Sequence, residues 1–231
     1  MPRMYEFCTL RASLSTVICF GYKELGWKKA KCINAWDFED WDEDVNNDYK
    51  ICKAAYEILK DADAVVTHNG KRFDWKFLNA RLVYHGLPTL PKMPHVDTCL
   101  VSRTKLFLAS NRLNDLAKFL GVEEKMENGG WDLWVKVLAR QKTAMQTMAQ
   151  YCKQDVEVLE QCFLRIRGLC DELPNFNLFS GDSMCCPKCG GHRIKKHGWK
   201  YNRTQKYQRY ICMPCGATFR SNAKDTMAVG P

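Results

Sequence analysis

Two short β-branched runs, Thr16–Tyr22 and Ala30–Ala35, open the apolar pattern of the chain, and a turn at Gly26 between them predicts adjacent strands. An acidic stretch follows, WDFEDWDEDVNND over 36–48; it lacks the glycine and closing glutamate of a calcium loop and reads as a solvated connector. The apolar period then lengthens, and Tyr49–Lys60 reads as a helix with Asp48 at its N-cap. Ala64–His68 is a further strand that passes directly into a helix over Phe73–His85, closed by Gly86 and Pro88. SNRLNDLAKFLG (110–121) is a capped helix ended by Gly121, and Met145, Met148, Val156, Leu159, Phe163 and Ile166 recur at helical spacing across 143–169. Strands first, then helices with one strand among them, predict a layered α/β or α+β domain and not a bundle.

Past Cys170 the pattern dissolves into DELPNFNLFSGDS, a stretch of turn formers, and the domain boundary is expected there. The expected organisation is a main domain over 1–172, a linker over 173–183, a small β unit over 184–221 and a flexible tail over 222–231. In the small unit Cys186-x2-Cys189 and Cys212-x2-Cys215 stand 22 residues apart, each pair followed by glycine. Two such turns can aim four thiolates at one tetrahedral zinc ion, so a structural zinc ribbon is expected, the metal replacing a core too small to fold alone. Cys185 competes for the site, and the spacing favours Cys186. Most of the other cysteines are single residues in apolar segments, the usage of buried reduced thiols in a cytosol. No apolar run is long enough to span a bilayer and no secretory pattern stands at the N-terminus, so a soluble cytoplasmic protein without a membrane partner is expected.

Charge sharpens the division. The net charge is +9, yet residues 1–182 hold 25 basic and 25 acidic side chains, while 183–220 hold nine basic and no acidic ones. The segment HRIKKHGWKYNRTQKYQRY interleaves Lys195, Lys196, Lys200, Arg203, Lys206 and Arg209 with Trp199, Tyr201, Tyr207 and Tyr210. Cations follow phosphates and aromatic rings stack on bases, so the ribbon is expected to grip nucleic acid, against the plainer reading of a solvated basic hairpin.

In the main domain, VVTHNGKRFDWKFL (65–78) ends a strand in His68 and Asn69 and sets Asp74 just inside the next helix. In MAQYCKQDVEVLEQ, Tyr151 and Asp155 stand four apart and share a helix face. With these in place the chain resembles the 3′–5′ exonucleases of the ribonuclease H-like superfamily that carry four acidic residues in three motifs, the DEDD group. HNGKRFDWKFLN is similar to their second motif, with Asp74 its acid, and YCKQDVEVL to the third in its tyrosine variant. ICFGYKELGWKK, SNRLNDLAKFLG, GGWDLWVKVLA and the cysteine ribbon further resemble a phage and bacterial subgroup with a C-terminal zinc ribbon, over roughly residues 16–220.

The resemblance implies an α/β fold, a ribonuclease H-like mixed sheet flanked by helices, plus a small C-terminal β zinc ribbon. It implies a metal-dependent 3′–5′ exonuclease that hydrolyses DNA or RNA at single strands or 3′ ends, without an obligate protein partner, in a bacterial or phage-infected cell. Two magnesium or manganese ions on carboxylates would activate water and stabilise the leaving 3′ oxygen. Asp155 would serve the nucleophile-side metal, Asp74 the leaving-group side, and Tyr151 the attacking water, with His68 and Asn69 supporting the site or the terminal nucleotide. Asp97 reads as structural. The family's first motif, Asp-x-Glu, is incomplete here: Glu6 takes the Glu position as a catalytic and metal-binding acid, and Met4 falls where the bridging Asp stands, or else the chain starts downstream of the motif. A thioether cannot replace a carboxylate on a hard cation, so the alternative is a catalytically impaired nucleic-acid-binding protein on the nuclease scaffold.

Overall fold

The computed structural model describes residues 2–11, 16–122, 130–180 and 184–221, and the chain divides into two compact units between Phe163 and Leu164. The first unit is built on strand β1 (Met4–Arg11). On one side of it lie β2 (Val17–Glu24) and β3 (Lys31–Asn34), both antiparallel to their neighbours. On the other lie β4 (Ala64–Thr67) and β5 (His95–Asp97), both parallel, giving the order β3-β2-β1-β4-β5. All four residues of β4 are buried, as a strand covered on both faces requires.

Helices α1 (Asp40–Glu43) and α2 (Tyr49–Leu59) join β3 to β4, and α3 (Asp74–Tyr84) joins β4 to β5. After β5 come α4 (Thr98–Lys105), α5 (Leu113–Leu120), α6 (Trp131–Leu138) and the long α7 (Lys142–Ile166). Alternation along the strands separates two cores. Phe7 and Phe20 pack with Ile51, Ala55 and Leu59 of α2 and Leu78 and Leu82 of α3. Cys19 packs instead with Leu133 and Val137 of α6 and with Met148 and Cys152 of α7. The helix α7 lies directly on the backbone of β2, because a Cβ at Gly21 would stand 2.8 Å from the Cys152 sulfur and 2.9 Å from its carbonyl oxygen.

The acidic stretch is more than a connector, since it folds α1 around a Trp41 ring that is 1% exposed. Asp48 does stand at the N-cap of α2, but its side chain makes no capping bond. The carboxylate instead accepts from Arg81 Nη2 (2.6 Å) and Nε (2.9 Å), His85 Nε2 (2.6 Å) and the Val17 N–H (2.8 Å). Burial pushes the Asp48 carboxyl up, but the bonds from Arg81, His85 and Val17 outweigh it and hold it below the ordinary carboxylate range. A depressed acid lends stability above its unfolded pKa of about 4 and loses it as pH falls further. Asp48→Ala, which strands the Arg81 guanidinium, is therefore expected to lower unfolding free energy by about 3–5 kcal/mol in urea titrations at pH 7, and by less below pH about 4.

The second unit holds α8 (Asn177–Ser180) and a three-stranded antiparallel sheet of β6 (Ile194–Tyr201), β7 (Lys206–Cys212) and β8 (Thr218–Arg220), in the order β6-β7-β8. Among the described residues no helix is long and apolar enough to cross a membrane.

Candidate functional site

A cavity of about 590 Å³ opens where β4 ends, lined by Cys8 of β1, His68, Asn69, Asp74, Arg103, Ser110, Asn111, Arg112, Tyr151 and Asp155, with apolar neighbours. It gathers five sequence-derived residues of the main domain, His68 and Asn69 after β4, Asp74 at the first position of α3, and the Tyr151/Asp155 pair of α7. The α7 pair is almost wholly buried, Tyr151 at 5% and Asp155 at 7% exposure.

The turn after β4 is set by Asp97. Its carboxylate accepts from the Asn69 N–H (2.8 Å) and the Lys71 N–H (3.2 Å) on one side and from the Cys99 N–H (3.0 Å) of α4 on the other. That role is structural, as expected, and it holds Asn69 in the left-handed region at φ 62°, which asparagine tolerates better than most residues. His68 acts as a strut. Its Nε2 donates to the Asn111 carbonyl (2.9 Å), and its Nδ1 pairs with the Thr98 hydroxyl (2.9 Å), tying the strand end to both later wall segments.

Glu6 does not line this cavity. It pairs in register with Val66 of β4 and with Lys23 of β2, and it feels the charge of Glu160 in α7. Two residues on, about 7 Å along the strand, the same face presents Cys8. β1 lines the cavity with Phe7 and Cys8, not with Met4 or Glu6; Cys8 stands near the two acids, and Met4 is fully buried. A bond to Cys152 lowers the Cys8 thiol, but burial and the nearby charges of Asp155 and Asp74 raise it more. Glu6 is 0% exposed, and its carboxylate oxygens have no hydrogen-bond partner from any other described residue. Burial, then the charge of Glu160, push its carboxyl up to about 8. Lys23 next to it is bound to Glu160.

The donor set decides which metals fit. Among the described residues the cavity offers two carboxylates, Asp74 and Asp155, which suit one hard divalent cation. A pair of cations needs a bridging carboxylate, and a thiol stands in that part of the wall, so the pair does not fit. Arg103 and Arg112, which the sequence patterns did not single out, also line the cavity. Arg103 comes from the last turn of α4, and Arg112 precedes α5.

In the second unit the Sγ atoms of Cys186, Cys189, Cys212 and Cys215 all lie within 4.8 Å of one another, with Cys186 to Cys215 at 3.7 Å and Cys189 to Cys212 at 3.6 Å. Four sulfurs about 2.3 Å from one zinc ion in a tetrahedron would stand roughly 3.8 Å apart, so the set fits zinc. Gly190 and Gly216 adopt φ 70°, and their N–H groups bond back to Cys186 and Cys212, which curls each pair toward the other. The Cys185 sulfur turns away to Asn177 Oδ1 (2.7 Å).

A β-bulge follows Lys196: Lys196 pairs with Tyr210 and Trp199 with Gln208, so two residues of β6 oppose one of β7. Lys196 and Trp199, three apart in sequence, thereby share one face with Tyr201, Lys206 and Tyr210. Lys195 and Lys200 project on the other face. Trp199 carries the Lys206 ammonium 4.3 Å from its ring centre, and Arg209 Nε donates to the His197 carbonyl (2.8 Å), so these groups have partners within the ribbon. Arg203 lies exposed in the β6–β7 turn.

The RNase_H_2 model of the RNase_H superfamily matches residues 8–165. A PolC-type DNA polymerase III of Ureaplasma parvum serovar 3 is 36% identical over 86 residues, which is 36% of this chain and 6% of that protein. A solved family B DNA polymerase from the archaeon Pyrobaculum calidifontis shares the fold, with a TM-score of 0.57 at 16% identity over 73% of this chain and 25% of that one. The chain thus spans a small part of either polymerase. With the mixed five-stranded sheet, the helices on both its faces and a family match over more than half its length, the chain belongs to the RNase_H superfamily.

Proposed function

We propose that this protein is a nuclease of the 3′–5′ exonuclease type, acting on DNA or RNA ends with its basic ribbon holding the strand. The observation that carries the reading is the convergence of Asp74, Tyr151 and Asp155 on one cavity in an RNase_H superfamily chain. Similarity to a DNA polymerase of the PolC type supports a nucleic-acid substrate. A divalent magnesium or manganese ion, when held by Asp74 and Asp155, would draw charge from the phosphate under attack. The Tyr151 hydroxyl would hold the attacking water, His68 and Asn69 would keep the turn that presents Asp74 rigid, and the aromatic and lysine face of the ribbon would bind the strand.

End-labelled single strands incubated with magnesium or manganese are expected to release nucleotides from the 3′ end, and Asp74→Ala and Asp155→Ala to abolish release. No release in either metal, or release that Asp74→Ala leaves unchanged, would overturn the proposal.

The second reading is an impaired nuclease that binds nucleic acid without turning it over. It is favoured by one observation, the thiol of Cys8 in the wall beside the two acids with Glu6 buried elsewhere. Binding of single strands at an affinity that falls steeply with salt, with no nucleotide released, is its signature.

A further inference from the structure

The cavity is not uniformly acidic. Asp74 and Asp155 stand among its lining with Arg103 and Arg112, so among the described residues the formal charges of its ionised side chains cancel. Among the described residues neither guanidinium makes an ion pair or a side-chain hydrogen bond, although both acids line the same space. Arg112 also stands at the N-cap of α5 without any capping bond from its side chain, a position where a cation meets the positive end of the helix. Two arginines held at a cavity wall, apart from the acids available to them, are groups in want of an anion. A space of about 590 Å³ accommodates a nucleotide among these groups.

We infer that Arg103 and Arg112 bind the phosphate of a nucleic-acid end, in a cavity that takes a single divalent cation on Asp74 and Asp155. The inference rests on the nuclease reading for the identity of the anion, but its charge logic concerns binding alone. A bridged cation pair would place four positive charges against two carboxylates. One cation and two guanidiniums supply the same formal charge, and the guanidiniums present fixed, forked donors to phosphate oxygens. The thiol of Cys8 then has no bridging duty to perform.

The test uses the zinc-loaded full chain and two titrations. Manganese binding, followed by the loss of free Mn2+ signal in electron paramagnetic resonance, is expected to saturate at one ion per chain in the wild type and to vanish in Asp155→Asn. Cys8→Asp is expected to raise it to two. Thymidine 5′-monophosphate binding, measured calorimetrically without added manganese, is expected to weaken about tenfold in each of Arg103→Ala and Arg112→Ala, the loss of one charge-assisted phosphate contact. Both residues are exposed, so the folded state survives and manganese stoichiometry stays at one. Two manganese ions on the wild type, or nucleotide binding indifferent to both arginines, overturns the inference. The nuclease reading fails separately: one manganese ion and arginine-dependent nucleotide binding without strand hydrolysis sustains the inference and removes the activity. Hydrolysis by a chain carrying two manganese ions does the reverse.

Discussion

Cys212→Ser is expected to empty the four-cysteine centre of zinc and to unfold the ribbon strands β6, β7 and β8. The cause is the smallness of what else holds them. Among the described residues the buried cluster around the metal site consists of Cys186, Cys189, Cys212 and Ala217, with Cys215 and Phe219 against it, so the apolar packing there is little more than the ligands themselves. Apparent zinc affinities of such sites supply on the order of 10 kcal/mol, and with no preformed site in the unfolded chain that energy is folding energy. Burial pushes the Cys186 and Cys215 thiols up, so zinc must displace protons, and affinity should fall as pH is lowered. Metal analysis should read one zinc per chain in the wild type and none in the variant, and the amide signals of 194–220 should collapse toward random-coil positions. Ribbon signals that persist in the metal-free variant would mean that the hairpin stands without its ion.

The other large effect is expected at Glu6. Its carboxyl is buried without a hydrogen-bond partner from another described residue, and burial followed by the charge of Glu160 raises it to about 8. The native state therefore holds this proton through neutral pH, whereas the unfolded chain releases it near pH 4. A raised acid gives its full contribution below the unfolded value and loses it as pH climbs, so stability should decline from about pH 4 to about pH 8 and level off beyond. The span corresponds to roughly 5 kcal/mol. Glu6→Gln keeps the shape without the proton to lose. Its melting temperature should match the wild type near pH 4 and exceed it clearly at pH 9, and equal pH profiles for the two proteins would refute the assignment.

Much of the first unit was legible because periodicity is a strong signal where an element is long. The helices α2, α3 and α7 and the strands β2 and β4 fall within a few residues of the apolar patterns that announce them. The strand β5 and the helix α4 were not legible. Three residues and eight residues carry too little periodicity, and what starts α4 is Asp97, whose partners at Asn69 and Lys71 are visible only once the chain is folded. In β1 the alternation is masked by Glu6, an acid in a fully buried position, which made the residue look like a site group.

The cavity shows the same division. Asp74, Tyr151 and Asp155 stood out through spacing on their own elements. Cys8, Arg103 and Arg112 come together from three separate segments, with no local pattern to mark them, and only the sheet order and the two wall segments bring them near. The β6 bulge is a further case, since without it strand alternation would assign Lys196 and Trp199 to opposite faces.

Gly21 has no polar group, no charge and no place in the cavity wall, yet it governs how wide that cavity is. The Cys152 backbone rests on it, one residue from Tyr151 and three from Asp155, while Asp74 is anchored independently through α3. A single methyl group at position 21 would jack α7 away from the sheet and carry two of the three site residues with it. Natural variation there should be as narrow as at a reacting residue, for reasons of clearance rather than chemistry.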